Sequence, residues 1–304
     1  MHVTIISRSA FKYINEKIQE FMRFLSYIWN MSKNLDESGL KSIFSEYDLF
    51  FIDIWGVVHN GIKLHENAVK VLNELSNNEK KFILLTNAPR PNLTVINTLK
   101  KMGLNNFFDT VFTSGEASKR YLLENFNNKK FFHLGPPRDF DLFKTFEDNK
   151  VLNIDDSDYL LCSGLFEEHE DDLEYYKNLL SKHITKKMIC TNPDLIVDRG
   201  DKREYCAGSI AKSFEEINGE VIYFGKPYPP VYEIAADVNN KKILCIGDNL
   251  NTDIQGANIQ NFDSLLITGG IHKQEISKLS MDKVLKNYET KINYFQKELK
   301  WWKK

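Results

Sequence analysis

From Asp48 onward, short apolar runs alternate with longer stretches whose apolar residues recur every three or four positions. Brief apolar runs bounded by turn residues predict buried strands, and a 3.6-residue period predicts helices packed on one face. Strands are expected at 49–54, 82–85 and 110–112, then at Phe131–Leu134, Tyr159–Cys162 and Lys187–Cys190, and finally at 221–224, 243–246 and 264–267. Helical patterns fall at 68–75, 114–126, 230–236 and 252–257, and the tail 281–304 also has a helical pattern. Strands separated by helices give an α/β fold built on a mostly parallel sheet. The first and last groups of strands are expected to form one sheet and the middle group a small domain of its own. The resulting division is an N-terminal extension at 1–40, a core at 41–127 and 208–304, and an inserted domain at 128–207.

Within the extension, Phe11, Ile14, Ile18, Phe21, Leu25 and Ile28 form one apolar stripe at helical spacing. A docking helix, a targeting segment, or translated sequence upstream of a start at Met31 would each account for it. A transit peptide is poor in acids, whereas Glu16 and Glu20 lie on the polar face, so an accessory or upstream segment is the favoured reading. No stretch reaches the roughly 20 apolar residues of a membrane-spanning helix. Forty basic and 42 acidic residues give a net charge of −2, so no overall field would draw the chain to nucleic acid or an anionic membrane. The four cysteines show no metal-site or disulfide spacing, which predicts reduced, packed thiols and a cytoplasmic setting.

The chemistry sits where apolar runs end. Residues 50–52 lead into Asp53, 83–85 into Thr86 and Asn87, 222–224 into Gly225 and Lys226, and 244–246 into Gly247 and Asp248. The carboxyl edge of a parallel sheet is where such folds bind ligands. One Asp after a strand is ordinarily a helix cap. Two carboxylates, a hydroxyl, an amide and an ammonium converging on one edge instead suit a dianion bridged by a hard cation, Mg2+, since Asp53 and a phosphate would otherwise repel each other.

These segments resemble the haloacid dehalogenase (HAD) superfamily over roughly 48–270, and within it subclass IIA, the nitrophenylphosphatase-like and sugar- or nucleotide-phosphatase-like group. Residues 51–61 look like its first motif, Leu85-Thr86-Asn87-Ala88 its second, Gly225-Lys226-Pro227 with Pro229 and Glu233 its third, and 247–254 its fourth. The resemblance implies a three-layer Rossmann-like core with an inserted α/β cap of the C2 type. It implies that Asp53 is the nucleophile of an aspartyl-phosphate mechanism, that Thr86, Asn87 and Lys226 hold the phosphoryl group, and that Lys226 also neutralises Asp53. Mg2+ would be bound by Asp53, the Trp55 backbone carbonyl, Asp248 and Asp253. Asn192 and Asp194, in a segment that looks like part of this subclass's cap, are candidates to face the substrate, a loop-and-turn role being equally open, and the sequence offers Arg199 or Arg203 as further handles.

One position departs from the pattern. The family's general acid and base stands two residues after the nucleophile, and here that residue is Trp55, whose indole can neither donate a leaving-group proton nor activate water. Three readings follow: a phosphate-monoester hydrolase acting on a small phosphorylated metabolite, with leaving groups that need no proton or with a proton from the cap or from His59, although His59 reads first as a turn residue near Gly61; a catalytically impaired protein that binds a phosphorylated ligand or partner; or a metal-free dehalogenase, which the retained Asp248 and Asp253 disfavour. A monomer and a cap-to-cap homodimer are equally compatible with the sequence.

Overall fold

The computed structural model describes residues 32–199 and 202–302. The apolar stripe at 11–28 lies outside them. Seven strands form the main sheet: β1 (Lys33–Asn34), β2 (Leu49–Ile52), β3 (Lys81–Thr86) and β4 (Val111–Thr113), and, after a long insertion, strands 12 to 14 of the chain at Ile243–Gly247, Asp263–Ile267 and Tyr294–Gln296. Between these groups lie β5 (Phe131–Leu134), β6 (Lys150–Val151), β7 (Tyr159–Cys162), β8 (Lys187–Cys190), β9 (Ile196–Arg199), β10 (Lys202–Tyr205) and β11 (Val221–Tyr223). The later three are β12, β13 and β14. The main sheet runs β1-β14-β13-β12-β2-β3-β4, with every pairing parallel.

Its central strands are apolar on both faces because helices cover both. Phe50 and Ile52 of β2, with Leu244 and Ile246 of β12, enter one apolar layer. Leu49 and Phe51, with Ile243 and Cys245, enter the other. This period-two division is what a doubly covered parallel sheet requires. Helix Glu66–Asn77 closes the first layer with Ala68, Val71, Leu72 and Leu75, a buried stripe at helical spacing.

A second parallel sheet runs β11-β8-β7-β5-β6, beside an antiparallel β9–β10 hairpin. Leu160 and Cys162 of β7 face helices Leu173–Leu180 and Ala207–Glu216. Tyr159 and Leu161 point the other way, into the same apolar layer as Phe51 and Cys245 of the main sheet. One continuous apolar layer thus serves both sheets.

Three expectations need correction. Val221–Tyr223 does not complete the main sheet; it pairs with β8 in the smaller one, so the inserted unit does not end at 207. Residues 33–40 are not an extension, since β1 pairs with β14 and Leu35 and Leu40 are fully buried. The tail is helical only at Met281–Asn287 and then returns as β14. Val284, Tyr288, Ile292 and Phe295 mimic a helical stripe, but Gln296 is buried, its amide donating to Leu35 O (3.0 Å) and Lys300 O (3.2 Å), which secures the strand.

All four cysteines are free and buried. Among the described residues, no helix is long and apolar enough to cross a membrane.

Candidate active site

Sheet register sets the site. Ile52 is opposite Ile246 on one side and Leu84 on the other, so the chains leaving β2, β12 and β3 carry Asp53, Asp248 and Thr86 to one edge. The Lys226 ammonium donates to Asp53 Oδ1 at 2.5 Å and to Asp253 Oδ1 at 2.7 Å, all three side chains being buried. Asp253 sits in the wide turn Leu250–Ile254, where its Oδ2 accepts from the Asn249 backbone N–H (3.1 Å). Asp248 Oδ2 accepts from the Ile271 N–H (2.9 Å).

Oxygens of Asp53, Asp248 and Asp253 lie within 4.8 Å of one another. Three carboxylates against one ammonium would leave a deficit of two positive charges in a buried place. Burial raises the Asp53 pKa well above the usual carboxylate range, with Asp253 and Asp248 adding to the rise and Lys226 opposing it. Burial, then Asp253, pushes Asp248 up to about 7. For Lys226, burial alone would lower the pKa, but Asp253 and Asp53 outweigh it and hold the group cationic. A hard divalent cation matches both the oxygen donors and the missing charge. Glycines make room for the donors: a Cβ at Gly56, where φ is +89°, would lie 2.2 Å from Asp248 Oδ2, and one at Gly270 would lie 1.9 Å from the same atom.

Lys226 arrives from the smaller sheet, in the loop after β11. Asn87 pins that loop: its Oδ1 accepts from Lys226 N–H (2.7 Å), and its Nδ2 donates to Lys226 O (2.9 Å) and Asp194 Oδ1 (3.1 Å). Gly225, at φ +123°, permits the approach, since a Cβ there would stand 2.6 Å from Asn87 Oδ1. The Asn87 amide is therefore occupied as a joint between the two sheets. The Thr86 hydroxyl accepts from Ala88 N–H (3.3 Å) and lines the cavity that holds the carboxylates.

The loop after β8 carries Asn192 and Asp194. Asn192 Oδ1 accepts from Asp194 N–H (3.0 Å), a tight turn that sets the direction of Asp194. Asp194 lines the carboxylate cavity; Asn192 lines only a neighbouring chamber. Burial pushes Asp194 up to about 6, against the pull of Lys226. Arg203 lines a separate cavity with His272, Glu275 and Tyr288, and so does not serve as a handle here. The side chain of Arg199 lies outside the described part of the structure.

Trp55 is half-buried, its indole packed against Gly61, where a Cβ would lie 2.8 Å from Cη2, and edge-on to His59 at 5.1 Å. His59 is a turn residue: its Nδ1 accepts from Gly61 N–H (2.8 Å), and burial, then His65, pushes its pKa down to about 4. A neutral ring committed to its own turn is a poor source of a catalytic proton. Sequence reasoning missed a buried chain of contacts: Arg90 Nε to Asp139 Oδ1 (3.0 Å), Ser163 Oγ to Asp139 Oδ2 (3.0 Å), and Ser163 Oγ with His133 Nε2 (2.8 Å). It braces the segment after β3 against the smaller sheet, and the only signal was an Arg between Pro89 and Pro91 directly after Asn87.

Comparison with known proteins agrees with this architecture. Residues 50–147 match the family described as haloacid dehalogenase-like hydrolase, and residues 223–290 match a second, HAD-hydrolase-like family. The chain belongs to the haloacid dehalogenase-like hydrolases, with a mostly parallel Rossmann-like core. Within them it falls in subclass IIA, beside the nitrophenylphosphatases. A 4-nitrophenylphosphatase of Schizosaccharomyces pombe is 26% identical over 278 residues, 81% of this chain and 92% of that protein. An acid sugar phosphatase of Staphylococcus epidermidis is 24% identical, covering 75% of this chain and 89% of its own length. The crystal structure of a haloacid dehalogenase-like hydrolase from Brucella suis superposes with a TM-score of 0.75 at 29% identity, covering 86% of this chain and 98% of that one.

Proposed function

We propose that the chain is a Mg2+-dependent phosphate-monoester hydrolase that acts on a small phosphorylated metabolite through an aspartyl-phosphate. The carrying observation is the buried Asp53 carboxylate, bonded to Lys226 at 2.5 Å and flanked by Asp248 and Asp253. Asp53 attacks phosphorus, the P–O bond to the leaving group breaks, and water then displaces the phosphoryl group to regenerate the carboxylate. Lys226, Thr86 and Asn87 line the cavity and would hold the phosphoryl oxygens, offsetting the charge gathering there. Asp53, Asp248, Asp253 and the Trp55 backbone carbonyl would hold Mg2+, which would supply the positive charge that offsets the repulsion between carboxylate and phosphate.

A second reading, a phosphate-ligand binder without turnover, draws on Trp55 alone. The two separate by release of phosphate from 4-nitrophenyl phosphate with Mg2+, with and without EDTA. Turnover that EDTA abolishes, and that Asp53→Asn lowers on the order of 10⁴-fold, is the expected result. Turnover that survives Asp53→Asn would sink the nucleophile assignment. Wild-type inactivity with phosphate still bound would favour the binder.

A further inference from the structure

The carboxylate cavity shares part of its lining with a neighbouring chamber whose walls are both apolar and charged, among them Ile54, Leu99, Leu165, Arg138 and Glu167. The side chains common to both spaces are Trp55, Thr86, Asn87, Asp194 and Val197. A phosphate ester places its phosphoryl group beside Asp53 and Lys226 and the rest of the molecule in the chamber. Its bridging oxygen, the atom that needs a proton on departure, then falls at the seam between them. Of the five seam residues, Asp194 is the single one whose side chain can exchange a proton near neutral pH: indole, amide, hydroxyl and isopropyl groups cannot.

We propose that Asp194, from the smaller sheet, protonates the leaving oxygen and then deprotonates the attacking water, in place of the carboxyl absent at position 55; this rests on the reading of Asp53 as a nucleophile toward phosphate esters. In the first step the Asp53–phosphorus bond forms, the ester P–O bond breaks with its electron pair on oxygen, and that oxygen takes the proton of Asp194. In the second, water attacks phosphorus, gives its proton to Asp194, and the Asp53–phosphorus bond breaks, restoring both groups. The Asn87 amide donates to Asp194 Oδ1 at 3.1 Å and Thr252 also hydrogen-bonds the carboxyl, so its direction is fixed. The charged and titratable groups that face it are Lys226, Asp253 and Asp248 from the site, and the Cys190 and Cys206 thiols from its own side. Burial raises the Asp194 pKa and Lys226 opposes the rise.

The test compares wild type, Asp194→Asn and Asp194→Glu, all with Mg2+, on 4-nitrophenyl phosphate, whose leaving oxygen departs unprotonated, and on propyl phosphate, whose oxygen does not. Asp194→Asn keeps an acceptor for Asn87 and should lose about 10²- to 10⁴-fold on propyl phosphate. On 4-nitrophenyl phosphate it should release a burst of nitrophenolate equal to the enzyme concentration and then stall, because the aspartyl-phosphate forms but lacks its base. Asp194→Glu should recover part of the propyl phosphate activity, and the fall in wild-type rate at high pH should vanish in Asp194→Asn. Propyl phosphate turnover by Asp194→Asn within about threefold of wild type, or loss on both substrates without a burst, would overturn this assignment alone, since 10²-fold is the least such a group contributes. A wild type inactive on both substrates would overturn the phosphatase reading and this assignment with it.

Discussion

At the carboxyl edge of the main sheet, β2 and β12 lead into Asp53 and Asp248; at the carboxyl edge of the smaller sheet, β11 and β8 lead into Lys226 and Asp194. The main sheet brings the proposed nucleophile, Asp53, and concentrated negative charge. The smaller sheet brings the fixed positive charge that tempers it and a carboxyl whose proton is exchangeable. Neither edge alone has a workable charge balance. Asn87, on the main sheet, bonds both Lys226 and Asp194 and so holds the two contributions at working distance. The candidate site is divided between two sheets.

The sharpest way to break that division is Lys226→Met, which keeps the length and removes the charge. Asp53 and Asp253 would be left buried without their shared ammonium, a loss of about 3–5 kcal/mol in urea unfolding. Mg2+ should restore part of it. A variant as stable as wild type would mean that the two edges do not depend on each other's charge. Next in size is Asn87→Ala, which strips the Lys226 backbone N–H of its acceptor and should cost about 1–3 kcal/mol. Phosphatase activity should fall as well, although Asp53 is untouched; full activity would show that the joint is dispensable.

The smallest effect concerns metal and pH. Burial raises Asp53 and Asp248 in the folded state, Asp248 to about 7. Their protonated forms therefore favour the fold, and that contribution fades as pH rises from the ordinary carboxylate range through about 7 for Asp248. A cation needs the deprotonated forms. Mg2+ should accordingly raise Tm by a few degrees at pH 8 and by less at pH 5.5. A larger rise at the lower pH would contradict the assigned ligands.

The main sheet was legible because β2, β3 and β12 are apolar on both faces and each ends at a chemically distinctive residue, so both strand and site were marked in the chain. β1 and β14 were not: both are short, β1 is polar, and the apolar residues leading into β14 follow a helical spacing, so strand character comes from partners far away in sequence, as where Lys33 pairs with Tyr294. β11 was legible as a strand but not by sheet, since apolar runs do not name their neighbours. For the same reason Lys226 was found as a site residue while its origin was misjudged. Asp194 was picked out, but its place at the seam depends on the Asn192 turn and the Asn87 bond, neither of which a spacing pattern contains. His59 was readable in sequence as a turn residue near Gly61 before it was readable as a proton donor, and the Gly61 N–H donating to its Nδ1 agrees with the turn.

The apolar layer shared by Phe51, Leu85 and Cys245 of one sheet with Phe131, Tyr159, Leu161 and Ile189 of the other bears on how such a protein can be taken apart or rebuilt. An inserted segment that carried its own closed interior could be excised, or exchanged for that of a relative, as a cassette. Here excision would strip more than a third of the lining from a layer that the main sheet also needs, and a foreign insert would have to reproduce the contours of these aromatic and branched side chains before any change of specificity could be read. Inheritance of the insertion and inheritance of the core are therefore tied, and substitutions that retune the one must be tolerated by the other.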